Sequence, residues 1–181
     1  MTTPRPRYTD REFPPYSYVP GHAPHPVSDS AGHMVGAAPE TPQPLRPAAW
    51  QDSAEYMAGV DLFNHGYYWE AHEAWESLWL VAGRQGRVAD FLKGLIKLAA
   101  GGVKAREGNH RGVARHCLRA TELLRGVHRQ LTSTQLGSAN VYCGVDLPGL
   151  IKEASALAGS AAQEFTKPQP HLLLDVWLAV A

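Results

Sequence analysis

Eleven of the fourteen prolines fall within residues 1–48, and that segment has no helical apolar period. Proline lacks an amide donor and restricts the residue before it, so the segment is read as extended or irregular. It is not a plain solvated linker, because "FPPYSYVPGHAPHPV" carries Phe13, Tyr16, Tyr18 and Val19. Such side chains can lay a tail across a folded surface. Residues 1–47 are therefore expected to form a proline-rich extension, docked on a single domain spanning residues 48–181.

From Ala48 onward the pattern becomes helical. Asp52 and Glu55 read as a capping box for a first helix that ends near Asn64, where "NHG" offers Gly66 for a left-handed terminus. A second helix is expected over about 68–81 and is broken by "GRQGR". A third covers about 88–106 and closes at Gly108, and a fourth covers about 110–127. After a turn-rich stretch through Gly144, Asp146 is placed to cap a fifth helix, and the tail "KPQPHLLLDVWLAVA" is apolar enough to pack back on the bundle. Aligning Gly66 with Gly108 superposes two helix–Gly–helix units, fewer than a solenoid requires. No segment alternates like a strand for long. The expected fold is all-α: antiparallel helical hairpins packed into a small bundle of about five helices.

The chain has 181 residues, enough for one full core and too few for two comfortable domains. Lysine plus arginine and aspartate plus glutamate are balanced at 17 each, so no net field draws the chain to nucleic acid or an anionic membrane. No apolar run approaches a membrane span, and the first residues lack the charged-then-apolar order of a secretory signal. Cys117 and Cys143 follow no motif spacing and suit a reducing compartment, so the expected location is cytoplasmic.

The stretch "YYWEAHEAWESLW" raises the chemical question. On a helical wheel with Tyr68 at zero, His72 and Glu76 fall at about 40° and about 80°, inside the arc of Trp69, Trp75 and Trp79. Glu70 and Glu73 fall towards the polar side. The wheel thus turns one histidine and one glutamate into the core, where an unpaired carboxylate is expensive. Three arrangements offset that cost. The two side chains can pair with each other and nearby polar groups, they can chelate one divalent metal across a helical turn, or Glu76 can serve as a general acid or base. Asn64 borders the apolar face of the first helix and is placed to join them across a tight hairpin. Of the carboxylates, Glu73 is the lesser prospect as a base.

Other polar groups are weighed more briefly. Asp90, Lys93, Lys97 and Lys104 share one strip of the third helix, either a solvated face or an anion-binding strip beside the pocket. Arg111, Arg115, Arg119 and Arg125 make the fourth helix basic, but the absence of interleaved aromatics argues against a nucleic-acid partner. His116 reads as a packing histidine, and His22, His25 and His33 as surface or docking residues.

"LFNHGYYWEAHEAWESLW" followed by "FLKGLIKLAAGGVKAREGNHRGVARHCLRATELL" resembles the domain-of-unknown-function 309 family, over about 54–124. The family's HxxxExxW hallmark is matched by His72, Glu76 and Trp79. The resemblance implies a compact helical fold and a metal-binding role for that motif. This chain departs from the family's "FLQGLIQLAAA" in carrying Lys93 and Lys97 where glutamines stand. Two functional expectations follow. The first is a metal-binding protein, a metal-dependent hydrolase, with His72 and Glu76 as ligands, Asn64 orienting one of them and the tryptophans as low-dielectric walls. Two local ligands leave a mononuclear site short, so others come from elsewhere or from a second subunit of a homo-oligomer. The alternative is a non-enzymatic helical-hairpin interaction module in which the His–Glu pair is structural.

Overall fold

A computed structural model describes residues 5–38, 40–133, 140–168 and 177. Five α-helices follow a short 3-10 segment at Pro47–Asp52: α1 (Ala54–Asn64), α2 (Tyr68–Val81), α3 (Arg87–Arg106), α4 (His110–Ser133) and α5 (Leu147–Glu164). Between α4 and α5 lies a two-stranded antiparallel hairpin, β1 (Val141–Tyr142) with β2 (Val145–Asp146), paired Val141 to Asp146 and Tyr142 to Val145. The architecture is the expected helical bundle, with this hairpin in place of a plain turn. Its tip needs two left-handed residues, and Cys143 (φ 49°) and Gly144 (φ 78°) supply them.

Three helix boundaries differ from expectation for local reasons. The N-cap of α1 is Ser53, whose Oγ accepts from the Tyr56 amide at 3.3 Å. Asp52 instead pairs with Arg46 at 2.7 Å, so no Asp52–Glu55 capping box forms. Helix α4 runs on to Ser133 because Leu131 keeps its apolar face buried beyond Val127. Asp146 stands at the N-cap of α5 but makes no side-chain cap bond, and Pro148 starts that helix instead. Most of the tail expected to pack back, residues 169–176 and 178–181, lies outside the described residues.

Helix α3 is the centre of the bundle, packed between α2 and α4. From Phe91 to Gly102 only Lys93, Lys97 and Ala100 reach solvent, at i, i+4 and i+7, and every other position is buried. Close approach of the neighbours explains the glycines. A methyl group at Gly102 would run into the Tyr68 ring of α2, and one at Gly94 into Leu124 of α4. The core is built on Tyr56, Phe63, Tyr68, Trp75, Phe91 and Leu124, all essentially inaccessible. Burying a large aromatic or aliphatic side chain of this kind contributes roughly 1.5–3 kcal/mol.

The proline-rich segment lies along α1 and α2. The amides of Tyr8 and Thr9 donate to the Asp61 carboxylate at 2.8 and 2.9 Å, and the Thr9 hydroxyl donates to it at 2.8 Å. Phe13 stacks on Tyr67 with ring centroids 5.0 Å apart, and the Ser17 hydroxyl donates to the Gly66 carbonyl. Further along, the Tyr18 amide donates to Glu70 Oε1 at 2.9 Å, while Tyr18 and His25 meet the Trp69 ring edge-on. An irregular segment must satisfy its amides somewhere, and here two helix carboxylates do so.

Candidate metal centre

Of the carboxylates on α2 it is Glu70, not Glu76, that is buried, at 5 % exposure. His72, Glu73 and Glu76 keep side-chain exposures of 28 %, 38 % and 36 %. This corrects the wheel, which turned His72 and Glu76 inward and Glu70 outward. The reason is tertiary. The docked arm covers the flank of α2 that carries Glu70, whereas His72 and Glu76 lie on its opposite shoulder, beside the exposed seam of α3. Because His72 and Glu76 stay half in water, they carry little of the desolvation cost that burial would impose.

The three half-exposed side chains converge. His72 Nδ1 lies 3.3 Å from Glu73 Oε1 and 3.9 Å from Glu76 Oε2. One donor atom from each falls within 4.8 Å of the others. Nδ1 of His72 is itself shielded from solvent and has no hydrogen-bond partner among the described residues. Glu73, discounted by its wheel angle, joins because its three-carbon side chain spans the one-residue step from His72. Two donors on one tetrahedral ion with bonds of roughly 2.1 Å lie roughly 3.4 Å apart, a spacing that His72 and Glu73 match and that His72 and Glu76 exceed. One imidazole and two carboxylates suit borderline zinc, and the carboxylates also suit the harder manganese.

The other residues singled out from sequence disperse. Asn64 is fully buried at the end of α1, whereas the donor group is half exposed. Trp75 is buried in the core, where its indole N–H donates to the Tyr56 carbonyl at 3.3 Å. Trp69 meets the arm. Trp79 lies under Lys93, whose Nζ is 3.8 Å from the ring centroid. The three tryptophans therefore face three neighbours and do not wall one pocket.

Two latch residues, Asp61 and Glu70, were missed from sequence. A carboxylate inside the apolar run "GVDLF" was a legible sign for Asp61, but Glu70 showed none. Burial raises the Glu70 pKa to about 7, opposed by the hydrogen bond from the Tyr18 amide. His33 Nε2 lies 3.8 Å from Glu70 Oε1, and burial lowers its pKa. Glu70 Oε2 and both ring nitrogens of His33 have no hydrogen-bond partner among the described residues. Glu70, Glu73 and Glu76 are among the lining of an open cavity of about 1010 Å³, as are His33 and Met34 of the arm.

Across the seam, burial with Lys97, Arg115, Lys104 and His72 nearby pushes His116 down to about 4, so it is neutral at pH 7. Burial likewise lowers Lys97, with Lys93, Arg119 and Arg115 acting in the same sense and Glu76 against them. His116 thus lies within the electrostatic surroundings of His72.

Fold and geometry together define a helical-bundle protein with a His–Glu–Glu donor group on the shoulder of one helix. Residues 56–116 match the model of a family described as Domain of unknown function (DUF309), the family that the motifs had suggested. The matched segment takes in α1 to α3 and the start of α4, including the donor group, Lys97 and His116. No curated protein matches the chain. No helix among the described residues is long and apolar enough to cross a membrane.

Proposed function

We propose that the protein binds one divalent transition metal through His72, Glu73 and Glu76 and is a metal-dependent hydrolase. The observation that carries this reading is the convergence of three donor atoms within 4.8 Å, one of them a histidine nitrogen shielded from solvent and without a hydrogen-bond partner among the described residues. Three protein ligands leave a coordination position open, as catalytic sites do and closed structural sites do not. When bound, the ion supplies a Lewis acid that polarises an oxygen and brings the ionisation of water towards neutral pH. Glu73 and Glu76 balance its charge and, as part of the cavity wall, set it at the edge of a space large enough for a small organic substrate.

Metal content by mass spectrometry tests the reading, on full-length protein purified without added metal or chelator. The expected result is near-stoichiometric metal in the wild type and its loss in the still-folded His72→Ala/Glu76→Ala variant. A metal-free wild type that takes up neither Zn²⁺ nor Mn²⁺ on titration would sink it.

One observation favours the runner-up, a non-enzymatic helical-hairpin module. The α1–α2 face already accepts an extended peptide through Asp61 and Glu70, and that peptide is the chain's own arm. On that reading the His–Glu pair is structural, so His72→Ala destabilises the fold with or without metal.

A further inference from the structure

The exposed seam of α3 is narrow and one-sided in charge. Its floor is Ala100, with Lys97 a turn before it and Lys104 a turn after. The register of the flanking helices follows from their contacts. Trp79 of α2 meets Lys93, and Tyr68 meets Gly102, so Glu76 falls within a turn of Lys97 and His72 at the level of Ala100. On the other flank Gly112 of α4 meets Lys104 and Leu124 meets Gly94, so His116 also falls near Ala100 and Arg119 near Lys97. His72 and His116 therefore face the same short length of seam from opposite sides.

The cations here are not equally committed. Lys104 is held by Glu107 at 2.7 Å, Arg119 by Glu122 at 2.8 Å, and Lys93 rests on Trp79. Lys97 and Arg115 make no hydrogen bond or ion pair among the described residues. Yet Lys97 is only half exposed, and Glu76, the acid that acts on it, makes no ion pair with it, a position a lysine does not favour. A negative charge supplied from outside would complete the arrangement. Lysine serves phosphate as a point charge, arginine binds it through a planar fork, and a neutral imidazole can donate or accept one further hydrogen bond.

We infer that the seam between α2, α3 and α4 is a phosphate site, with Lys97 as its inner cation, His116 on its α4 flank and the exposed Arg115 beside His116 at its rim, and that the substrate of the adjoining metal centre carries a phosphate group. The second half of this statement rests on the metal reading above, and the first half does not. Without metal, Glu73 and Glu76 oppose an incoming anion. A divalent ion cancels their charge and leaves Lys97 and Arg115 in excess. Metal and phosphate therefore bind with positive coupling, each strengthening the other by the same factor.

The test is calorimetric titration of inorganic phosphate into the full chain, metal-free and loaded with Mn²⁺. Wild type is compared with Lys97→Gln, which restores the family's side chain, and with Lys97→Glu. The expected result is phosphate binding that strengthens about tenfold on Mn²⁺ loading. With Mn²⁺ bound, Lys97→Gln weakens it by about tenfold, the loss of one charge-assisted hydrogen bond. Lys97→Glu abolishes it, and Mn²⁺ affinity in Lys97→Gln stays within about threefold of wild type, as expected if Lys97 is not a ligand. A Mn²⁺-loaded wild type that ignores phosphate overturns the inference and leaves the metal reading standing. Phosphate binding that both Lys97 variants retain in full also overturns it, since the anion would then sit elsewhere. If the chain takes no Mn²⁺, the metal reading falls alone: phosphate binding that Lys97→Glu removes still upholds the seam as a phosphate site, and no binding overturns it.

Discussion

Asp61→Ala should release the proline-rich arm. The Asp61 carboxylate, 1 % exposed, accepts from Tyr8 N, Thr9 N and Thr9 Oγ1, all between 2.8 and 2.9 Å. A hydrogen bond to a charged group contributes about 1.5–3 kcal/mol. Three such bonds do not simply add, because the loss cannot exceed the free energy that docks the arm. Once detached, the three donors find water. Taking two bonds' worth as the lower bound, the loss is about 3 kcal/mol, which raises the open population more than about a hundredfold. Trypsin cleavage after Arg7, with opening fast relative to cleavage, reads that population directly. Glu55→Ala is the control, since it removes only the Arg11 pair, 3.0 Å long but largely exposed. A pair of that kind contributes about 0–1 kcal/mol, so cleavage should rise no more than about fivefold. Equal rates for Asp61→Ala and wild type would refute the reasoning and leave the stacking of Phe13 as the attachment.

Two further outcomes follow from the same surfaces. Burial raises Glu70 to about 7 from an ordinary 4.5, so its contribution to arm docking is full below pH 4.5 and is lost as pH rises through about 7. Burial lowers His33, so its neutral form is favoured on docking and its contribution is lost as pH falls below 6.5. The two oppose each other between pH 4.5 and 6.5. Trypsin protection in wild type should therefore vary less with pH than in either variant, improving towards acid in His33→Asn and worsening in Glu70→Gln. Identical profiles in all three would show that the pair is not coupled to docking. In the core, Gly102→Ala drives a methyl group into the Tyr68 ring and should cost about 1–3 kcal/mol in urea unfolding, despite alanine's better helix propensity. Gly126→Ala on α4 meets only the end of Arg129, 4.0 Å away, and should stabilise by about 0.5–1 kcal/mol. Similar signs for the two would mean that α2 and α3 are not in close contact.

Helix positions and the all-α class were legible in the sequence because they depend on signals within a few residues of each other. The bounds of α2 came out as expected from the aromatic period and the glycine-bearing breaks on either side. Lys93, Lys97 and Lys104 were legible as one strip for the same reason, as their common face depends only on helical geometry. Which face of a helix is inside depends on what packs against it, and a wheel cannot supply that. Glu70 was set on the polar side, yet an arm 52 residues earlier in the chain covers it and donates the Tyr18 amide to it. His72 and Glu76 were set in the aromatic arc, yet the three tryptophans of that arc face the core, the arm and Lys93, and His72 and Glu76 are left half in water. Glu73 was excluded by an angle that a flexible side chain overrides. Local periodicity thus determined the helices and the donor types. Only the packing of α1 to α4 and the arm decided which donors meet, because burial is a property of contacts between segments distant in the chain.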